Sequence, residues 1–232
     1  MNKKLSSLIC FVLIVIIFIP AISIALAGKP DKGPIEKKVF IHMAKPDKPD
    51  KTPKPDVRDK EWYKYSGIHW ASNDLPVTYV VDNELDYGVI VTSFETWDDE
   101  TATELFFEGV KGEVTAGVRD YTNALSYGDY PYAGVIAVTY IWYYGSSGEI
   151  VEVDTMFDTD YLWSVTGESG KMDLQNIATH EFGHWLVLDD LYNRPTRTQT
   201  MYGYSTYGET IKRTLESGDI AGIQEIYGPL VE

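Results

Sequence analysis

The sequence of 232 residues contains a single cysteine, Cys10. That residue lies within an apolar run near the N-terminus that we interpret as an export signal, so the chain left after cleavage is expected to have no thiol. A chain without cysteine cannot form disulfides, use a thiol nucleophile or bind a metal through sulfur. Its stability must then come from the hydrophobic core or from bound ions.

Basic residues are also scarce. The chain has 20 Lys and Arg against 35 Asp and Glu, which gives a formal net charge of −15. Nucleic acids and anionic membrane surfaces are bound through clusters of positive charge, so we exclude both as partners. The 44% of hydrophobic residues and 13% of aromatic residues are typical of a folded globular protein.

A basic start followed by an apolar run indicates export. Lys3 and Lys4 precede an almost unbroken apolar segment, Leu8 to Leu26, and its small-x-small end permits cleavage before Gly28. Residues 1–27 are therefore predicted to be a signal peptide, although a run of about 20 apolar residues is also long enough for an uncleaved anchor. We expect a secreted, extracellular or cell-surface protein that has no contact with the membrane after signal cleavage.

Residues 28–60 repeat Lys, Pro and Asp and have little apolar content. Such low-complexity composition predicts an extended, solvated segment that proline stiffens. We interpret it as a linker to a folded domain, or as a short pro-segment that covers an active site. Its one apolar stretch is Val39-Phe40-Ile41-His42-Met43, which is able to dock on a domain.

Residues 61–232 are predicted to form one mixed domain. Runs of β-branched and aromatic residues indicate strands over 75–81, 135–144 and 150–157, and Gly145-Ser146-Ser147-Gly148 joins the last two as a hairpin. Apolar residues near a 3.6-residue repeat indicate helices over 89–106, 173–187 and 220–227. This order predicts an α/β (α+β) fold with a twisted mixed β-sheet, an active-site helix and a C-terminal helix.

The second of these helices carries His180-Glu181-Phe182-Gly183-His184, which has the pattern H-E-x-x-H. Residues four apart lie on the same face of a helix, so both imidazoles can bind one tetrahedral Zn²⁺ ion. Glu181 then stands beside the open position of the metal, where it is able to take a proton from a water that the ion has acidified. The motif therefore predicts one catalytic zinc ion, with Glu181 as the general base.

A catalytic zinc ion needs a third protein ligand, and no third histidine follows the motif. Asp190 comes six residues after His184 and is able to complete the site if the chain turns sharply after the helix. Asp189 is the neighbouring alternative, and Glu209 and Glu216 are the alternatives further along the chain.

At this point the residues resemble the metzincin metallopeptidases, whose motif H-E-x-x-H-x-x-G-x-x-H ends in Asp in some members. Thr200-Met201-Tyr202-Gly203-Tyr204 is similar to the metzincin Met-turn, and Leu215 to Gly228 resembles the last helix of the matrixin branch. Pro76-Val77-Thr78-Tyr79 and the helix after it are similar to the opening of that branch. The resemblance implies a metzincin-like fold, zinc held by the two motif histidines and Asp190, and hydrolysis of protein or peptide substrates.

Three features depart from that family. Val187 occupies the glycine position of the long motif, where a β-branched side chain resists positive φ. The histidines of a structural zinc site are missing, and any inhibition in cis would use an Asp or His42, since residues 28–60 have no cysteine. Acidic loops supply the oxygen ligands that Ca²⁺ prefers, so structural Ca²⁺ is one expectation and a solvated acidic face without a bound ion is the alternative. The candidate ligands are Asp82, Asp86, Asp120, Asp129, Asp154, Asp158 and Asp160.

These observations together predict a secreted zinc-dependent endopeptidase whose catalytic domain is residues 61–232. The alternative is a catalytically silent surface protein of the same fold that acts in binding. The presence of Glu181 argues against that alternative, because a site that only binds has no need of a base beside the metal.

Overall fold

The computed structural model describes residues 32–45 and 62–230. The predicted signal peptide lies outside the described residues, and so do residues 46–61 of the segment rich in Lys, Pro and Asp. Within the described part, no helix is both long enough and apolar enough to cross a membrane.

The described residues form nine strands and three α-helices. The strands are β1 (Ile35–Ala44), β2 (Val80–Asp82), β3 (Val110–Gly112), β4 (Ala124–Gly128), β5 (Val135–Tyr144), β6 (Ile150–Asp158), β7 (Trp163–Ser164), β8 (Met172–Asp173) and β9 (Tyr204–Ser205). The helices are α1 (Tyr87–Asp98), α2 (Leu174–Trp185) and α3 (Ser217–Tyr227).

Seven of these strands form one mixed sheet in the order β3-β2-β4-β6-β5-β1-β9, and β7 pairs with β8 in a second, small sheet. The strands β3, β2, β4 and β6 run parallel, whereas β5 runs antiparallel to β6 and β1 runs antiparallel to β5. The mixed sheet with its helices confirms the predicted fold class.

The hairpin of β5 and β6 forms the centre of the main sheet and confirms the predicted pair of strands. Thr139 lies opposite Thr155 in its register. Most side chains of both strands are buried, because both faces of the sheet are covered at this point. On one face, Val138 and Met156 form a small cluster with Val135 and Ala116, and the opposite face packs on the helices.

Strand β1 corrects the expectation that residues 28–60 are a solvated segment throughout. Residues 35–44 pair with β5, from Ile35 opposite Tyr144 to Met43 opposite Val135, and the end of the strand pairs with β9. Phe40 is buried, as the apolar stretch around it permits. Flanking Lys-Pro-Asp repeats dominate the composition of the segment, so its average composition does not indicate the strand that forms around the apolar stretch.

Helix α1 packs against α2, which in turn packs against β5. The rings of Phe94 and Phe182 stack with centroids 3.5 Å apart, and the indole of Trp97 donates to the carbonyl of Thr179 at 2.8 Å. The predicted first helix was too long. It ends at Asp98, whose carboxylate accepts from the backbone nitrogen of Leu105 at 2.6 Å and so fixes the loop that follows.

Helix α2 has a defined start and a sharp end. Asp173 caps its N-terminus by accepting from the backbone nitrogen of Asn176 at 3.0 Å, and Arg213 binds the same carboxylate. After Trp185 the chain turns, and Val187 adopts a φ of 69°. The left-handed conformation costs a valine about 1–2 kcal/mol. Full burial of this side chain offsets that strain, so the turn forms without glycine.

Candidate metal centre and active site

Helix α2 directs His180 and His184 to one point. Both side chains are fully buried. Nδ1 of His180 lies 2.7 Å from the carbonyl oxygen of Thr200, and Nδ1 of His184 lies 2.7 Å from that of Leu188. A carbonyl only accepts, so each Nδ1 carries the hydrogen and each Nε2 is left with a free lone pair. This is the tautomer that a metal-binding histidine requires, and the backbone carbonyls orient the rings.

Oδ1 of Asp190 faces the same point as Nε2 of His180 and Nε2 of His184. It lies 3.3 Å from Nε2 of His180 and 3.7 Å from Nε2 of His184. Tetrahedral zinc, with bonds of about 2.0–2.1 Å, holds its ligand atoms roughly 3.3 Å apart. In the part of the chain that the structure describes, all three atoms are buried without a hydrogen-bond partner. Unpaired buried polar atoms are costly, and a cation among them would satisfy all three, so these residues fit zinc.

The charge states of these groups also suit a cation. Burial acts to raise the pKa of Asp190, but the adjacent His184 and His180 lower it to about 2. Tyr192 donates to Oδ2 of Asp190 at 3.1 Å, so Oδ1 is the oxygen left without a hydrogen-bond partner. Burial lowers the pKa of His184 to about 4 and also lowers that of His180, so both rings are neutral at pH 7.

The other candidate ligands lie elsewhere. Asp189 points to Lys38, whose Nζ is 2.7 Å from its Oδ1. Glu209 accepts from the backbone of Thr206 at 3.1 Å, and Glu216 caps the N-terminus of α3. Among the carboxylates proposed from the sequence, only Asp190 meets the two histidines.

The turn around Met201 packs directly against helix α2. A Cβ on Gly183 would collide with Sδ of Met201, so the glycine of the motif lets the turn lie directly against the helix. Asp219, buried at the start of α3, accepts from the backbone nitrogens of Thr200 and Met201 at 2.7 Å and 3.1 Å. Since the carbonyl of Thr200 also orients His180, α3 fixes the ring of this histidine through the turn.

Glu181 lies beside the metal centre, buried on the sheet side of α2. Its Oε2 accepts from the hydroxyl of Thr139 at 2.7 Å, and that hydroxyl is 2.7 Å from the hydroxyl of Thr155. Burial raises the pKa of Glu181 to about 8, and the bond from Thr139 opposes this rise. The carboxyl is thus held in one orientation beside the two motif histidines.

The family of the chain follows from sequence comparison. The family model described as Matrixin matches residues 62–228, which is most of the chain. The chain belongs to the matrixin family.

Several curated proteins are similar to this matrixin. Matrix metalloproteinase-16 of Rattus norvegicus is 30% identical over 219 residues, which cover 89% of this chain and 35% of that protein. Stromelysin-2 of Rattus norvegicus is 30% identical over 171 residues, or 68% of this chain and 33% of that protein. Metalloendoproteinase 2-MMP of Arabidopsis thaliana is 27% identical over 171 residues, or 68% and 43%. The chain spans less than half the length of these relatives.

In this matrixin, β1 lies across the metal centre. The ring of Phe40 stacks on that of His184 with centroids 3.9 Å apart, and the ring of His42 lies 3.9 Å from that of His180. Nδ1 of His42 is 3.0 Å from Oε1 of Glu181. The strand therefore shields both motif histidines and contacts Glu181 between them.

Four residues around the site have contacts that the sequence does not indicate. From the sequence, His42 is a candidate only for inhibition in cis, and Thr139, Thr200 and Lys212, whose Nζ lies 3.3 Å from Nε2 of His42, have no predicted role. The position of Thr139 in its strand does not distinguish it from other inward-facing residues. Thr200 acts through its backbone carbonyl, which the identity of its side chain does not indicate. Only the apolar stretch around His42 is a sequence signal that could locate one of them.

The acidic loop residues separate into two groups. Asp129, Asp158 and Asp160 lie close enough together to share a cation. Asp154 lies outside this group and accepts from the backbone nitrogens of Gly117 and Ala124, at 2.7 Å and 2.9 Å. Structural calcium stays a prediction.

Proposed function

We propose that this matrixin is a secreted zinc-dependent endopeptidase whose zinc is held by His180, His184 and Asp190. The observation that supports this best is the trio of buried, unpaired ligand atoms, 3.3 Å and 3.7 Å apart, beside an orientated Glu181. Membership of a family of metallopeptidases agrees with it. Secretion is inferred from the predicted signal peptide alone.

The bound zinc ion would supply a Lewis acid that lowers the pKa of a water molecule and polarises the substrate carbonyl. Glu181 accepts a proton from the attacking water and passes it to the amine that leaves when the peptide bond breaks. Thr139 is a positioning residue, since its hydroxyl holds one carboxylate oxygen of Glu181. The carbonyls of Thr200 and Leu188 keep the two imidazoles in the required tautomer.

Substrates are expected to be extended peptide segments. The edge of β5 pairs with β1 along nearly its whole length, and β9 pairs with the other side of that strand at its end. A substrate that replaced β1 would gain the same backbone hydrogen bonds by adding a strand to the sheet. This mode of binding recognises the peptide backbone of proteins and peptides in general.

We further propose that residues 28–60 include a pro-segment and that the described form is latent. β1 fills the groove that a substrate would need, and His42 binds the general base at 3.0 Å. Hydrolysis therefore requires β1 to leave the groove, for example after cleavage at one of the lysines between residues 46 and 61.

The proposed function is tested by hydrolysis of casein, with the full-length chain after limited trypsin treatment. We expect turnover that a chelator abolishes and that about one equivalent of Zn²⁺ restores, because the described ligand set holds a single ion. A chain that binds zinc and yet hydrolyses nothing would instead favour the silent binding protein of the same fold.

A further inference from the structure

Lys212 is fully buried directly beside the metal centre. It lies in a short 3₁₀ turn, Ile211–Arg213, and its backbone nitrogen donates to the side-chain oxygen of Asn176 at 2.8 Å. Since Asn176 belongs to the first turn of α2, the helix that carries the metal ligands also fixes Lys212. Lysine is rarely buried without a specific partner for its charge.

All three donors of its ammonium group are used. Nζ donates to the carbonyl oxygens of Tyr202 and Tyr204, and its third contact is Nε2 of His42 at 3.3 Å. The two carbonyl acceptors belong to the segment around β9. Only the third reaches β1, so only this donor loses its partner when β1 leaves the groove.

The pocket that holds the ring of His42 has a donor side and an acceptor side. Nε2 of His42 faces the ammonium group of Lys212, which can only donate, so Nε2 is an acceptor and Nδ1 carries the hydrogen on the side of Glu181. Nε2 also lies 3.1 Å from the hydroxyl of Ser205. Lys212 and Ser205 therefore present two donors to whatever side chain enters this pocket.

Granting the proposed peptidase function, on which this inference rests, we propose that Lys212 is a specificity-determining residue. It selects substrates that place a hydrogen-bond acceptor, the side chain of Glu, Gln or His, in the pocket that His42 fills. An aliphatic side chain would leave the third donor of Lys212 unpaired in a buried place, which is costly. A Lys or Arg side chain would bring a second positive charge against the ammonium.

The test is the cleavage profile of the trypsin-treated full-length enzyme on a mixed peptide library, with cleaved bonds identified by mass spectrometry. At one position flanking the cleaved bond we expect Glu, Gln and His to be favoured over Leu and Lys by at least about ten-fold. Lys212→Met should remove this preference at that position only, and Lys212→Gln, which keeps an amide donor, should retain part of it. Lys171→Met, at an exposed ion pair, is the matched control.

The outcomes separate this inference from the function on which it rests. If the wild type cleaves peptides without any acceptor preference, the role of Lys212 is wrong whether or not the variants fold. An acceptor preference that survives unchanged in Lys212→Met also overturns it. If no peptide is cleaved by zinc-loaded wild type, the peptidase function itself fails.

Discussion

Glu181→Gln should lower the rate of peptide hydrolysis by about 10²–10⁴-fold, the usual contribution of a general acid–base group. The amide has nearly the shape of the carboxylate and still accepts from Thr139, so the fold and the position of the side chain are retained. It cannot take up a proton, so the attacking water is no longer activated by this residue. The measurement is kcat/KM on a fluorogenic peptide for wild type and variant after both are cut between residues 46 and 61, with the zinc content determined on the same samples.

The zinc content is what makes the Glu181→Gln result specific. Glu181 is not one of the three unpaired ligand atoms, so the variant should retain as much zinc as the wild type. Glu168→Gln, which removes a carboxylate from an exposed ion pair with Lys171, should change neither quantity. Normal hydrolysis by Glu181→Gln would exclude this residue as the base, and loss of zinc would assign it to the metal site instead.

His42→Ala should raise the peptidase activity of the uncut chain by about ten- to one-hundred-fold. The substitution removes the hydrogen bonds of β1 with Glu181, Ser205 and Lys212, each of which typically contributes about 1 kcal/mol or more to the binding of the strand. A larger fraction of the uncut chains then has β1 out of the groove. The wild-type chain should reach a similar activity only after it is cut between residues 46 and 61. Initial rates of uncut and cut chains, measured side by side, test this expectation.

Val39→Ala is the matched control for the strand. Val39 belongs to β1 and pairs with Tyr140, but it is 36% exposed and lies outside the buried contacts of His42. We expect its activity before cutting to equal that of the wild type. A synthetic peptide of residues 35–44 should inhibit the cut enzyme, and the same peptide with Ala in place of His42 should inhibit it less. If His42→Ala lowers the melting temperature without any gain in activity, β1 is a structural strand and the latent form is refuted.

Much of the fold and part of the site could be predicted from the sequence, because their patterns are local. The hairpin of β5 and β6 follows from two long β-branched runs around a glycine turn, and α2 follows from its periodicity and its motif. The position of Asp190 could not be settled in this way. It depends on a turn at Val187 that local sterics disfavour and that burial of the side chain permits.

The contacts that cover the site were harder to predict, since they join segments far apart in the chain. His42 and Glu181 are 139 residues apart, and Lys212 is 170 residues from His42. A lysine in a polar stretch is ordinarily exposed, so nothing in the sequence indicates that Lys212 is buried. Only the assembled sheet brings β1, β9 and the turn of Lys212 around one pocket.

The number of zinc ions bound per chain, measured for the wild type, Asp190→Ala and Asp189→Ala, tests the metal centre most directly. In a dilute competing chelator we expect about one ion in the wild type and in Asp189→Ala, whose carboxylate faces Lys38. Asp190→Ala should retain much less than one, because only two ligand atoms remain. A wild type without zinc, or an Asp190→Ala variant that holds one ion as firmly as the wild type, would contradict the account.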